Sequence, residues 1–190
     1  PIDSLCRMGA FALWKGSGKL LNVDCLSIPT LRWEQKAFLP GPVPIEYANS
    51  AAFDPVNNKV YFHSPSGKLL EFDYQTNAWT TRSAGLPRVP DQTLLVDTQR
   101  HQLVFIGHGK VYSINMTSPG LVIMQDKTSF LTGDPTLVGG RRPGTVYDPD
   151  LDAYILYSSD VHSPRAVVAL DPVTWRVALV PGTGTAMPLP

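Results

Sequence analysis

The stretch KVYFHSPSGKLLEFDYQTNAWTTRS, residues 59–83, decides the fold of this chain. It contains three short apolar runs that are separated by the turn sequences SPSG and QTNA. Val60 and Phe62 alternate with Tyr61 and His63, which is the period of a pleated β-strand. A fourth run, SAAFD, precedes them across the turn PVNN. The stretch therefore predicts one antiparallel sheet of four strands, which we letter A to D in chain order.

The same pattern of strands and turns recurs along the chain. Asp54, Asp97 and Asp148 each end a predicted strand A and precede strand B by five residues. A four-stranded unit repeated about every 40–50 residues is typical of β-propeller blades, whereas a β-sandwich does not repeat its turns in register. We predict an all-β propeller in a single domain, residues 1–190, with four blades of four antiparallel strands at about 4–37, 50–83, 93–126 and 144–181.

The first unit departs from the others because it lacks the Asp that ends strand A. Its predicted strands are SLCRM, AFALW, KLLNVDC and LRWEQK, at 4–8, 10–14, 19–25 and 31–36. With strand B between them, Cys6 and Cys25 would lie two strand spacings apart, about 9–10 Å. A disulfide requires Cα atoms within about 7 Å. We therefore expect two free thiols.

Repeated turn chemistry accounts for two motifs that otherwise suggest ligand sites. GSGKLLNVD at 16–24 resembles a phosphate-binding loop, but the glycine and the Ser or Thr that such a loop needs are absent. The Gly-Lys pair recurs before strand C, so we interpret it as a hairpin turn in which glycine supplies a positive φ. The pairs Asp54-Pro55, Asp148-Pro149 and Asp171-Pro172 are interpreted as turns in which the Asp side chain caps the backbone.

Two segments resemble the second half of a kelch repeat, in which a strand ending near Asp is followed by a short turn and a Trp. They are LLEFDYQTNAWTTRSAGLP at 69–87 and ALDPVTWRVALVPG at 169–182. The resemblance implies a kelch-type propeller in which this Trp packs between blades; a stacking platform for a sugar or base is the alternative role. The Gly-Gly doublet of kelch repeats is missing, since His63-Ser64, Gly107-His108 and Ser158-Ser159 stand there.

Composition excludes several functional classes. The chain is 43% hydrophobic and 17% charged, and its formal net charge is zero. It therefore lacks the basic field that nucleic-acid binding needs, and no apolar run reaches the ~18 residues of a membrane helix. Nucleophile-elbow, zinc-protease and Cys-x-x-Cys motifs are absent from the sequence. We predict no catalytic residue, cofactor or metal ligand.

We expect the chain to act through one of its loop faces. The B–C turns and the D–A connections of antiparallel blades emerge on the same side, and long loops are often functional. This side carries the candidate contact residues Arg141 and Arg142, since Arg suits interfaces, and three histidines that are expected to be solvated: His63, His108 and His162. The histidines lie on different blades, too far apart to share a metal.

The sequence thus predicts a non-catalytic binding or structural module. Its expected partner is a protein, or further blades of the same or another chain. An oligomer of this chain is one such arrangement. Because the units begin at a strand A and end after a strand D, we expect a larger propeller, or closure with another chain, rather than a self-closed ring. The alternative is the propeller domain of an enzyme, either carbohydrate-active or similar to the copper-radical oxidases of kelch type, with its catalytic residues mostly elsewhere.

Overall fold

The computed structural model describes residues 4–11, 20–27, 32–35, 50–64, 67–83, 85–87, 92–117, 120–141, 143–157 and 166–180. They form four β-sheets that follow one another along the chain. The first sheet has the order β1-β2-β3, and its strands are β1 (Ser4–Phe11), β2 (Leu20–Ser27) and β3 (Arg32–Gln35). The second has the order β4-β5-β6-β7, and its strands are β4 (Ser50–Asp54), β5 (Lys59–His63), β6 (Leu69–Asp73) and β7 (Ala78–Ser83).

The third and fourth sheets complete the described fold. The third is built from β8 (Thr93–Asp97), β9 (Gln102–Gly107), β10 (Lys110–Asn115) and β11 (Met124–Asp126). The fourth has the order β12-β16-β15-β14-β13, with strands β12 (Thr132–Gly133), β13 (Gly144–Asp148), β14 (Ala153–Tyr157), β15 (Val167–Leu170) and β16 (Arg176–Leu179). Two 3₁₀ turns, Thr128–Phe130 and Pro135–Val138, lie in the connection between these sheets.

The predicted repeat is confirmed in the second, third and fourth sheets. In each, strands A to C pair as antiparallel neighbours in chain order. Asp54, Asp97 and Asp148 end the first strands, and the second strands begin five residues later. The repeat was readable because each turn is closed by residues that are adjacent in sequence.

The four-stranded prediction is wrong for the first sheet, which has three strands in the described residues. The predicted strands A and B are one continuous strand, β1, which pairs directly with β2. The only turn former between them is Gly9, and a tight hairpin needs at least two central residues. Cys6 and Cys25 are Cα partners in the β1–β2 register rather than being separated by a strand, so the distance argument for two separate thiols no longer holds.

The outer strands of the third and fourth sheets also differ from the prediction. Strand D of the third unit was expected at 120–125 but is β11, which covers only Met124–Asp126. The preceding segment turns toward the second sheet, where the N–H of Val122 bonds the carbonyl of Arg82 at 3.1 Å. In the fourth sheet an unpredicted fifth strand, β12, pairs in parallel with β16.

The core lies between neighbouring sheets, and β9 shows why its sequence is continuously apolar. Leu103 and Phe105 pack toward the second sheet, with Tyr61 and Leu69 among their cluster. Val104 and Ile106 point the other way and belong to a cluster with the fourth sheet: Tyr147, Tyr154, Leu156, Val168, Leu170, Trp175 and Val177. A strand covered on both faces loses the alternating pattern of a half-buried strand.

The innermost strands β4, β8 and β13 lie side by side, which is the arrangement of successive propeller blades. The described sheets form no closed ring, and within these residues the first sheet does not pack extensively on the fourth. The expected larger propeller, or closure with another chain, stays a prediction. No helix in that part is long and apolar enough to cross a membrane.

Two glycines confirm the predicted role of glycine in the B–C turns. Gly67 has a φ of 85° and Gly109 a φ of 69°, in the left-handed region that side chains disfavour. The equivalent Gly18 lies outside the described residues.

Candidate functional site

A polar cleft of about 340 Å³ lies between the second and third sheets. The A–B turns of both sheets and the C–D turn of the third sheet form its margin. Its walls carry Lys59, Tyr61 and Arg82 from the second sheet and His101 and Gln102 from the third. A concave site with a few convergent polar groups is the usual form of a small-molecule site.

Glu71 fixes the two positive charges of the second-sheet wall. Its carboxylate accepts a hydrogen bond from Lys59 Nζ at 2.5 Å and another from Nη1 of Arg82. The side chains of Glu71 and Arg82 are only 7% and 5% exposed. Because a buried charge is costly unless it is paired, this triad holds its geometry without help from a ligand.

Arg82 reaches the wall through an irregularity in strand pairing. Thr81 pairs with Leu70 and Ser83 with Leu69, which makes Arg82 an extra residue in β7. Such a bulge re-aims a side chain and is common beside binding sites. Arg82 Nε also donates to a third-sheet carbonyl, that of Gly120, at 3.2 Å. The bulge therefore ties the cleft wall to the neighbouring sheet.

Tyr61 contributes a hydroxyl that has no hydrogen-bond partner among the described residues. Burial raises the pKa of this hydroxyl above its usual range, and the nearby carboxylates of Glu71 and Asp54 raise it further. The group therefore stays protonated at neutral pH and is a donor available to a ligand.

Asp54 lines the cleft, but its carboxylate is engaged in the turn. Oδ1 accepts from the backbone N–H groups of Val56 and Asn57 at 2.9 and 3.1 Å, and Oδ2 accepts from the Asn57 amide at 2.8 Å. Asp148 and Asp171 likewise each accept two backbone N–H groups. The predicted turn role of the Asp-Pro pairs is confirmed.

At the junction of the third and fourth sheets, a polar network occupies the corresponding place. The guanidinium of Arg100 donates to both carboxylate oxygens of Asp152, at 2.7 and 2.5 Å, and to Asp97 at 3.1 Å. The hydroxyl of Tyr154 donates to Asp97 at 2.7 Å, and that of Tyr147 to Asp152 at 2.9 Å. Hydrogen bonding to Asp152 raises the pKa of Arg100, and the same bond lowers the pKa of Asp152.

The junction of the second and third sheets lacks this network, because the four corresponding residues differ there. Counted from the Asp that ends strand A, the second–third junction has Asn57 for Arg100, His101 for Asp152, Leu103 for Tyr154 and Val96 for Tyr147. An amide and an imidazole cannot form the bidentate guanidinium–carboxylate pair, and Leu and Val have no hydroxyl to donate. The cleft lies where these bonds are missing.

His63 is not solvated, and the expectation for this residue is wrong. It is 1% exposed, and its ring packs edge-on against Phe105 of the third sheet, with the centroids 4.9 Å apart at 77°. His63 shares a strand face with Tyr61, and that face packs on the third sheet. Neither ring nitrogen has a hydrogen-bond partner in the part of the chain that the structure describes, and burial lowers the pKa of His63 to about 4. It therefore cannot belong to a contact face.

Two of the other expected contact residues, His108 and Arg141, lie near each other, because the N–H of His108 bonds the carbonyl of Gly140 at 3.0 Å. Arg141 is exposed in the connection before the fourth sheet, and His108 is exposed in a B–C turn with a φ of 55°. Arg142 and His162 lie outside the described residues. The described residues contain no group of three or more side chains that could hold a metal ion.

Sequence reasoning missed the cleft, although one signal for it was present. Within LLEFD, Glu71 shares a strand face with Leu69, and a carboxylate on an apolar face is rarely left unpaired. That signal predicts buried cationic partners but not which ones. Lys59 lies on the neighbouring strand, and Arg82 reaches Glu71 only because of the bulge.

Comparison with known proteins identifies the fold but no family. No protein-family model matches the sequence, and no curated protein matches it. A structural-genomics protein of unknown function from Bacteroides thetaiotaomicron is similar in structure, with a TM-score of 0.62 and 16% identity over 95% of this chain and 45% of that one. An auxiliary nutrient binding protein from the same organism has a TM-score of 0.54 and 11% identity, covering 92% of this chain and 50% of its own.

TolB from Acinetobacter baumannii also aligns, at 11% identity over 96% of this chain and 58% of that one, but its TM-score of 0.48 is too low to support a fold assignment. The fold assignment depends on the two structures from Bacteroides thetaiotaomicron, and by that likeness the chain has an all-β, propeller-type fold. It spans about half the length of the solved structures that it matches.

Proposed function

We propose that this chain is part of a β-propeller binding module whose cleft between the second and third sheets holds a small, uncharged, hydroxyl-rich molecule such as a monosaccharide. One observation carries the proposal. The bidentate ion pair and the two tyrosine hydroxyl bonds of the third–fourth junction have no counterpart at the second–third junction, and the cleft lies there instead.

The charges around the cleft favour an uncharged ligand. Lys59 and Arg82 are balanced by Glu71 and Asp54, so a bound ion would add a charge without a counter-charge. Hydrogen-bonding capacity remains, because the ammonium group has three donors and the hydroxyl of Tyr61 is unused. A molecule that carries several hydroxyl groups can accept from both.

One structural likeness agrees with this proposal. The auxiliary nutrient binding protein is a fold relative, and nutrient binding is the kind of function we extend to this chain. The kelch-type relationship is a further proposal. It is supported by Trp175, which is buried in the cluster between the third and fourth sheets. Trp79 does not add to this support, because its ring contacts Phe72 of its own sheet, with the ring centroids 5.1 Å apart.

The test introduces into the cleft the equivalents of Arg100 and Asp152, the charged pair of the third–fourth junction. We would combine Asn57→Arg with His101→Asp and measure binding of glucose and galactose by isothermal titration calorimetry, with gluconate as the charged probe. The control adds the same charges at exposed sites of the second sheet, as Gln75→Arg with Thr80→Asp. Circular dichroism melting verifies that each variant is folded.

We expect monosaccharide binding in the unaltered chain and in the control, at least tenfold weaker binding in the filled variant, and weak or no binding of gluconate. Equal binding by filled and unfilled chains would place the ligand elsewhere and overturn the site. If none of the three probes binds, the proposal fails. Conversion of a bound sugar to product would favour the alternative of an enzyme domain.

Docking of a partner protein through the loop side is a second proposal. The B–C turn of the third sheet is fixed to the following connection, since the N–H groups of His108 and Gly109 bond the carbonyls of Gly140 and Val138 at 3.0 Å each. Arg141 follows directly and is exposed. Once a partner protein is identified, Arg141→Ala and Arg142→Ala should weaken its binding without changing the melting temperature of this chain. Partner contacts that map instead to the side of the A–B and C–D turns would contradict the proposal.

A further inference from the structure

The outward face of the fourth sheet is apolar and uncovered in the described structure. Val146 is 58% exposed, Tyr157 43% and Val167 42%. Ile155 and Ala169 lie on the same face and are half-buried. The opposite face of the same strands is buried against the third sheet. Soluble proteins rarely expose a contiguous apolar sheet face, and such a face usually marks a surface that another element or molecule covers.

Repeat-equivalent residues on the third sheet are fully covered. We count from the Asp that ends strand A, and from the Asp or Asn that ends strand C or directly follows it. On this count Val146, Ile155, Tyr157 and Val167 correspond to Leu95, Val104, Ile106 and Val111. Those third-sheet residues are 4%, 0%, 0% and 0% exposed. They are buried because the fourth sheet packs on them.

The corresponding face of the second sheet is also covered by the sheet that follows it. Its corresponding residues are Ala52, Tyr61, His63 and Leu69, of which the last three are buried at 3%, 1% and 0%. Tyr61 and Leu69 share a cluster with Leu103 and Phe105 of the third sheet, and Ala52 packs against it. In both cases the cover is supplied by the next sheet along the chain.

We infer that the outward face of the fourth sheet, Val146, Ile155, Tyr157, Val167 and Ala169, is the docking surface for a further β-sheet of the same propeller, supplied by the same polypeptide. This inference rests on the repeat and not on the proposed ligand. Length supports the choice of occupant: the two solved relatives above a TM-score of 0.5 are about twice as long as the part this chain matches, which leaves room for further blades. A second copy of the chain is the competing occupant.

The experiment compares two polypeptides that carry the same changes. One is residues 1–190, and the other is the product of the natural coding sequence with whatever flanks these residues. Val146→Lys combined with Val167→Lys charges the face. The control, Val173→Lys, charges a turn residue that is 67% exposed and lies off this face. Melting temperature and sedimentation velocity are measured for each.

In the natural product, we expect the double variant to lose at least about 10 °C in melting temperature, because two lysines would be buried unpaired, while the control stays within a few degrees. Residues 1–190 should tolerate the double change and sediment as a monomer. An unchanged melting temperature in the natural product would overturn the inference. So would dimers of residues 1–190 that the lysines dissociate, since the occupant would then be a second copy.

Discussion

The hydroxyl of Tyr154 donates a hydrogen bond of 2.7 Å to the carboxylate of Asp97 across the junction of the third and fourth sheets. Asp97 is completely buried, and it is the residue that ends the first strand of its own sheet. The same carboxylate closes the A–B turn through two backbone N–H groups. One side chain therefore both shapes the local turn and holds two sheets together.

Replacing Tyr154 with Phe should destabilise the protein by about 1–3 kcal/mol, because a buried carboxylate loses a hydrogen-bond donor that water cannot replace. Urea unfolding followed by fluorescence measures this. Tyr157→Phe is the matched control, since its ring is 43% exposed. Equal stability of the two variants would contradict a structural role for the Tyr154–Asp97 bond.

Glu71→Gln should cost about 3 kcal/mol or more. The amide keeps the shape of the side chain but removes the negative charge that Glu71 places against the buried guanidinium of Arg82. Lys59→Met should cost less, since the Lys59 side chain is 27% exposed and can be solvated. Asp150→Asn, at an exposed turn position, serves as the charge-removal control. Chemical denaturation of the unaltered chain and the three variants measures the free energy of unfolding of each. A loss for Glu71→Gln no larger than that for Asp150→Asn would show that Arg82 is solvated.

His63 should make stability depend on pH between about 6.5 and 4. Its pKa falls from 6.5 to about 4 on burial, so the unfolded chain binds the proton more readily than the folded one. Stability from this group is present above pH 6.5 and is lost as the pH falls toward 4, by up to about 3 kcal/mol.

The measurement for His63 is the difference in unfolding free energy between pH 7 and pH 4.5, since carboxylates also titrate in that range. His63→Leu should reduce this difference, whereas Gln75→Leu, at an exposed position without a titratable group, should leave it unchanged. The same pH dependence in all three proteins would mean that His63 is accessible to protons in the folded state.

Gly67→Ala should destabilise the protein far more than Gly109→Ala. Both residues have positive φ, so each substitution costs about 1–2 kcal/mol of backbone strain. At Gly67 a Cβ would also lie 2.2 Å from the carbonyl oxygen of Leu86, whereas nothing lies within 4 Å at Gly109. Thermal unfolding of the two variants compares them, and similar melting temperatures would show that Leu86 moves away easily.

The sequence by itself determined the strands and tight turns of the second to fourth sheets. Pleating has a period of two residues, and the Asp turns are closed by N–H groups two and three residues away, as at Asp148. Such features depend on neighbouring residues and can be read from a short segment. In the first sheet the Asp is missing, and there the prediction divided one strand, β1, into two.

Only the tertiary structure decided which residues meet between sheets. Arg82 and Gly120 are 38 positions apart, and Tyr154 and Asp97 are 57 apart. Their contacts depend on a bulge and on how two sheets pack, neither of which has a local signature. His63 looked like a turn residue but is buried because the third sheet covers its strand face. The cleft exists for the same reason: the hydrogen bonds that join the third and fourth sheets are missing between the second and third sheets.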